Sequence, residues 1–259
     1  EPPHRLPHDP LRLPDMDRAI RRLYQAVSRK ETVGIFGDFD VDGVTGTAII
    51  AEGLASLDVP VVPYLPKRMG EGHGLSAAAI QYMVQQGVTL VVTVDCGVSS
   101  LAEIEQARGY GIDTIVTDHH EPPLGDLPPA VAIVNPKLAD STYPFRELCG
   151  GAVAFKLAWA LCKRASDARK VSQAMREFLI MAMGIAAIGT VADVVPLLDE
   201  NRIIVRHGLE IGVQRPGHSR RTKSYTAEMA EYFAALTPAD IPPDVRRLAR
   251  VPHGGVRGG

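Results

Sequence analysis

Five short apolar runs recur through the first half of the chain: "TVGIF" (32–36), "VPVVPYL" (59–65), "TLVVTV" (89–94), "IDTIVT" (112–117) and "AVAIV" (130–134). Each has the length of a buried strand, and most are separated by segments of helical character. At roughly 15–29, Met16, Ile20, Leu23 and Val27 recur at spacings of four, three and four, which is one face of a helix. Further helices are expected at roughly 44–57, 76–86 and 99–109. Buried strands alternating with helices restrict the fold to the α/β class: a parallel sheet with helices on both faces. Pro63 weakens the case for the second run, because proline cannot donate to a ladder. Past residue 150 the pattern turns to helices alone, "GGAVAFKLAWALCKRA" and then roughly 171–189, so a helical segment follows the sheet of residues 31–135. The expected organisation is an N-terminal extension and helix (1–30), a catalytic domain (31–214) and a weakly ordered tail (215–259) with one amphipathic patch near 226–236.

A chain of 259 residues has ample length to bury a core. No apolar run approaches the ~18 residues of a membrane span, and the Pro-rich "EPPHRLPHDPLRLP" lacks an apolar signal region. No membrane association is expected. Cys96, Cys149 and Cys162 have no metal-type spacing and read as reduced thiols of a cytoplasmic protein. The net charge of −2 is uneven: residues from Arg215 onward carry eight Lys/Arg against four Asp/Glu, so the first 214 are acidic. An acidic body does not advertise nucleic-acid binding. It is compatible with a carboxylate-rich site whose charge is offset by cations.

Acidic residues recur in one context. Asp38, Asp40 and Asp42 follow the first run in "GIFGDFDVDGVTG"; Asp95 follows the third; Asp118, His119 and His120 follow the fourth. In an open parallel sheet the loops after the carboxyl ends of strands share one edge, where ligands bind. A further acid, Asp193 in "GTVADVVPL", ends the long apolar helix. A lone Asp after a strand is commonly a helix cap, and Asp42 or Thr45 could cap the helix starting near 44. Capping does not extend to all of these residues. Crowded carboxylates would take up protons rather than stay ionised, unless cations supply the opposite charge. Oxygen ligands mixed with imidazole suit manganese better than magnesium, with zinc and iron left open. Two cations roughly 3.5–4 Å apart, sharing a bridging carboxylate, account for the number of ligands.

These residues resemble the DHH phosphoesterase superfamily, and within it the RecJ-type single-strand-specific exonucleases. "GDFDVDGVTGTA", "VTVDCGVS", "VTDHHEP" and "GTVADVVPL" look like the family's four motifs in order, and "KRMGEGHGLS", "IVNPK" and "CGGAVAFKLAWAL" between them are also similar to RecJ segments. The resemblance runs from about Lys30 to Gly217. It implies Asp40 and Asp42 as metal ligands, and Asp38 as a further one at a position where many relatives outside RecJ have another ligand, often histidine. It further implies Asp95 as the bridge between two Mn2+ (or Mg2+) ions, His119 and Asp193 as further ligands, and Asp118 as the group orienting the histidine pair. His120 would contact the phosphate under attack. Arg68 is a candidate phosphate clamp, and His73 a loop packing residue. Gly150 and Gly151 open a helix whose N–H groups either hold a phosphate or serve tight packing.

The implied reaction is metal-assisted phosphodiester hydrolysis, with hydroxide attacking phosphorus in line. The implied substrate is single-stranded DNA degraded from its 5′ end, in recombination and repair. A single-strand-binding protein and a helicase are the implied protein partners, and the chain is expected to be a monomer. RecJ-type enzymes continue into a DHHA1 domain and an OB-fold. Neither is recognisable here, and "HGGVRGG" (253–259) lacks the expected surroundings, so a fragment or a frame change near Arg215–Gly217 is expected. The rival readings are a short-oligonucleotide or cyclic-dinucleotide phosphodiesterase, a manganese pyrophosphatase, whose first motif usually has His where Asp38 stands, and a non-catalytic replication scaffold of the Cdc45 kind.

Overall fold

The computed structural model describes residues 7–66, 74–165 and 172–214. The five apolar runs become strands β1 (Val33–Gly37), β2 (Val61–Tyr64), β3 (Leu90–Val94), β4 (Asp113–Thr117) and β5 (Ala132–Val134). All pair in parallel, in the order β2-β1-β3-β4-β5. Chain order therefore reverses between β1 and β3, and the crevice beyond the strand ends at such a switch is where α/β sheets bind ligands. Pro63 is accommodated because β2 is an edge strand with β1 as its neighbour.

Register determines what stands at that crevice. Gly37, Val94, Thr117 and Val134 end their strands level with one another. The ladder runs one step further through Asp38 N–H to Val94 O, Asp95 N–H to Thr117 O and Asp118 N–H to Val134 O, at 3.0–3.2 Å. The next residue on each strand is polar, so Asp38, Asp95, Asp118 and Asn135 form a row along one edge of the sheet.

The helices are α1 (Met16–Arg29), α2 (Val41–Ala55), α3 (Ala77–Gln85), α4 (Leu101–Gly109), α5 (Gly150–Ala165), α6 (Gln173–Ala192) and α7 (Asp199–Gln214). Alternate strand residues face opposite sides. Ile35, Val92, Val94, Ile115 and Val134 pack with α1, α2 and α5, and α6 and α7 belong to the same core. Phe36, Val91, Val116 and Ile133 pack with α3 and α4 on the other side. Each such side chain, fully buried, contributes roughly 1.5–3 kcal/mol. Helix α5 is buried almost all round, from Gly150 to Ala158, and is the centre of the helical layer.

Four expectations change. Helix α2 begins at Val41 rather than near 44, because Asp40 is its N-cap and accepts from Gly43 N–H at 2.9 Å. Helix α6 runs on to Ala192 before Asp193 caps it. Helix α7 and a short 3-10 helix at Pro10–Arg12 were not anticipated. Among the described residues, α6 alone is long and apolar enough on average to cross a membrane, although Arg176 and Glu177 lie within it and the run without charge is only Phe178–Ala192. Here it packs in the core with Phe178, Ala182, Ala186 and Ala187. The tail from residue 215 and its amphipathic patch lie outside the described residues.

Candidate metal centre

Asp42 lies in the first turn of α2 and is 1% exposed. Its Oδ2 accepts from Gly150 N–H and its Oδ1 from Gly151 N–H at 2.9 Å. Burial outweighs these bonds and pushes its pKa up to about 6. The two glycine N–H groups are thus engaged by a carboxylate, which corrects the expectation that they hold a phosphate. Their second expected role, tight packing, is what the geometry shows. A Cβ on Gly150 would lie 2.5 Å from the Cβ of Asp95.

Asp95 follows β3 directly with a left-handed backbone (φ 61), a strained position for a residue with a side chain. Its Oδ1 lies 3.0 Å from His119 Nε2. Burial, then the charges of Asp42, Asp40, Asp118 and Asp193, push its pKa well above the carboxylate range. His119 Nε2 also lies 3.7 Å from Asp193 Oδ2 and 4.0 Å from Asp42 Oδ2. Burial, then the neighbouring His120, push the His119 pKa down to about 4, so the ring is neutral at neutral pH, the form that ligates a cation. Asp193 caps α6, and burial with Asp42 and Asp40 pushes it up to about 7.

Asp118 and His120 form a second layer of the site. Asp118 Oδ1 accepts from the N–H groups of His119 (2.7 Å) and His120 (3.1 Å), and Oδ2 accepts from Val98 N–H at 2.9 Å. His120 Nδ1 lies 2.8 Å from the same Oδ1; a carboxylate only accepts, so Nδ1 carries the proton. Burial works to raise the Asp118 pKa, yet these bonds hold it below the usual range. The same bond raises the pKa of His120. The His120 ring is 57% exposed and borders a cleft of about 410 Å³, which Asp38, Asp95, Asp118 and Ser99 also line.

The donor set fits divalent cations. Asp95 Oδ1, His119 Nε2 and Asp193 Oδ2 are buried and crowd one another, Asp95 Oδ1 to within 3.0 Å of His119 Nε2, yet none makes a hydrogen bond of good geometry. Such orphans cost on the order of 1–3 kcal/mol each unless something satisfies them. One ligand atom from each residue falls within 4.8 Å of the others in three groups: Asp42–His119–Asp193, Asp95–His119–His120 and Asp38–Asp40–Asp95. Asp95 belongs to the second and third groups, the arrangement a bridging carboxylate between two ions requires.

Of the residues singled out in the sequence, Asp38, Asp40, Asp42, Asp95, His119, His120 and Asp193 are brought together, with Asp118 behind the histidines. Arg68 and His73 lie outside the described residues. The helix cap expected from Asp42 or Thr45 is supplied by Asp40; Thr45 Oγ1 instead donates to Asp42 O. One residue was quoted in "IVNPK" without a role. Asn135, fully buried, donates from Nδ2 to His120 O at 2.9 Å and accepts from Lys137 N–H at 2.8 Å. The signal was present: a polar residue directly after an apolar run, as with Asp38, Asp95 and Asp118.

The DHH family, N-terminal domain, matches residues 32–185. The chain is 42% identical over 203 residues to the single-stranded-DNA-specific exonuclease RecJ of Bacillus subtilis, covering 78% of this chain and 24% of that protein. It is 41% identical over 212 residues to the RecJ of Escherichia coli, covering 79% and 36%. The chain thus spans a quarter to about a third of the length of these relatives. Among solved structures, exonuclease RecJ bound to manganese superposes with a TM-score of 0.67 at 35% identity, over 76% of this chain and 48% of that one. RecJ from Thermus thermophilus in complex with Mn2+ gives 0.62 at 33% identity, over 76% and 27%.

Proposed function

Because the chain belongs to the DHH family through its N-terminal domain, we propose that it hydrolyses the phosphodiester bonds of single-stranded DNA from the 5′ end, as a RecJ-type exonuclease dependent on two Mn2+ or Mg2+ ions. The observation that carries this reading is the set of buried, unpartnered ligand atoms on Asp95, His119 and Asp193. Asp42, His119 and Asp193 would hold one cation and Asp38 and Asp40 the other, with Asp95, grouped with Asp38 and Asp40 and 3.0 Å from His119, as the shared carboxylate. When bound, the ions supply charge to polarise the phosphate and to lower the pKa of a water molecule.

The chain's own groups do the rest. Asp118, kept ionised, holds the Nδ1 proton of His120 and favours the charged ring. A cationic His120 at the cleft wall supports a phosphate oxygen as negative charge develops on it. Gly150 and Gly151 hold the Asp42 carboxylate still, so that this ligand is aimed before any cation arrives. Arg68 is assigned to the 5′-phosphate, because a guanidinium matches phosphate geometry. The catalytic unit is taken as residues 31–214, with 1–30 as an extension and 215–259 as a separate tail. Single-strand-binding protein and a helicase are the proposed partners of a monomer working in the cytoplasm, a compartment that keeps cysteine thiols reduced.

A length series tests the proposal. Wild type and Asp95→Asn are incubated with 5′-phosphorylated DNA from dinucleotide to 30-mer, with Mn2+ or EDTA. The expected result is Mn2+-dependent release of mononucleotides from the long strands by wild type alone. Cleavage confined to the shortest substrates would move the reading to a short-oligonucleotide phosphodiesterase.

A further inference from the structure

The two ends of the metal centre rest on separate loops. Asp193 stands at the C-terminal end of α6, and the chain then turns through Val194 at φ 60 to reach α7. A β-branched residue with positive φ is an outlier that persists only where surrounding structure holds it. On the other side, residues 147–149 lead into Gly150, whose N–H grips Asp42. One side chain touches both loops. Asn201, fully buried in the first turn of α7, donates from Nδ2 to Glu147 O at 2.6 Å and to Pro196 O at 3.0 Å. Glu147 lies three residues before Gly150, and Pro196 three residues after Asp193.

Its neighbour Glu200 anchors that turn. The buried carboxylate accepts from Lys156 Nζ at 2.5 Å, from His8 N–H at 2.9 Å and from the Tyr143 hydroxyl. Lys156 in turn donates to His8 O at 2.7 Å. Helix α7 is therefore fixed to α5 and to the segment before Gly150, and Asn201 projects from this fixed base.

We propose that Asn201 is a positioning residue for the metal centre, sewing the Asp193 loop to the Gly150 loop so that Asp193 and Asp42 meet His119 at ligating distance. The inference rests on the metal-centre reading above. Asn201 touches no ligand atom itself. It acts through two backbone carbonyls, and groups that orient ligands in this way typically change metal affinity about 10- to 100-fold when removed.

The test measures Mn2+ affinity by titration calorimetry, and thermal unfolding with EDTA or with saturating Mn2+, for the full chain. The variants are Asn201→Ala and Tyr143→Phe. Tyr143→Phe loosens the same buried cluster but leaves both Asn201 bonds in place. The expected result is that Asn201→Ala weakens Mn2+ binding about tenfold or more and shrinks the Mn2+-induced rise in Tm, while Tyr143→Phe lowers Tm in both media and leaves Mn2+ affinity within about twofold of wild type. Asn201→Thr keeps one donor and is read in the same way should the alanine variant not fold. Equal Mn2+ affinity in wild type and the Asn201 variants, or equal weakening by Tyr143→Phe, would overturn the positioning role. A wild-type chain that takes up no Mn2+ sinks the metal centre itself, an outcome separate from a centre that binds normally without Asn201.

Discussion

Asparagine at position 95 keeps the shape of the side chain and removes one charge from a group in which Asp42, Asp40, Asp118 and Asp193 all act on it. In the metal-free protein that charge is a burden. Asp95→Asn is therefore expected to raise the stability of the metal-free protein at pH 8, because it relieves a buried carboxylate that its neighbours disfavour, while Mn2+ binding collapses. Urea unfolding in EDTA reads the first effect and calorimetry the second; a less stable metal-free variant would show that the carboxylates are not in fact crowded. Gly150→Ala acts through volume. Its Cβ would fall 2.5 Å from the Cβ of Asp95 and 2.6 Å from Oδ1. Forcing a methyl group into such packing costs about 1–3 kcal/mol, and Mn2+ affinity should fall with it because Asp95 must move. Unaltered affinity would detach Gly150 from the site. At this scale the acids were legible, since one rule about the ends of parallel strands collects Asp38, Asp95 and Asp118. The partner of Gly150 and Gly151 was not. A helix start announces free N–H groups, but whether a phosphate or a carboxylate takes them depends on Asp42, more than a hundred residues away.

Element boundaries followed local chemistry where a single side chain fixed them. Ser76 caps α3 by accepting from Ala79 N–H at 3.2 Å, and α3 was expected almost where it lies. Ser76→Ala should cost about 1 kcal/mol in urea unfolding and leave Mn2+ affinity unchanged, because α3 contributes no ligand. A loss of metal binding would show that α3 supports the cleft in some further way. Helix α7 escaped notice for two reasons. Ile203, Ile204 and Val205 form a consecutive β-branched run that reads as a strand, and Gly208 interrupts the helical pattern. The structure accounts for that glycine: a Cβ there would lie 2.5 Å from the Cβ of Ala187, so α6 and α7 approach closely only with glycine at the crossing. Packing between helices, not local propensity, makes this segment helical. Asp40 shows the reverse case: the motif was legible as a ligand, and its second duty as the cap of α2 moved the helix start by three residues.

Across the whole molecule, the α/β class was readable from the alternation of runs, but the order β2-β1-β3-β4-β5 was not, because pairing joins segments far apart in the chain. That order and its level strand ends create the acidic row, and Asp95 of the row together with Asp42 and Asp193 beside it gives the protein a distinctive response to pH. Asp42 (about 6), Asp193 (about 7) and Asp95, higher than usual, all release their protons later in the folded state than in the unfolded chain, where an Asp titrates near about 3.9. Acids with raised folded pKa values contribute stability that is complete below the unfolded value and is lost as pH rises through the folded one. Between about pH 4 and 7 the folded state therefore binds more protons, and the metal-free protein should weaken as pH rises. His119, lowered to about 4, works in the opposite sense below its unfolded value near 6.5, but one imidazole opposes three carboxylates. Asp118 and Glu31, held below the usual range, lose their contribution only in more acid solution, outside this window. Cations reverse the slope, because they bind the ionised cluster and displace its protons. Thermal unfolding from pH 5 to pH 8 should thus show Tm falling in EDTA, and the gain from Mn2+ growing from small at pH 5 to largest at pH 8. Calorimetry in buffers of different ionisation enthalpy should register proton release on binding near pH 6. A gain from Mn2+ independent of pH would mean that the ions sit somewhere other than among these acids.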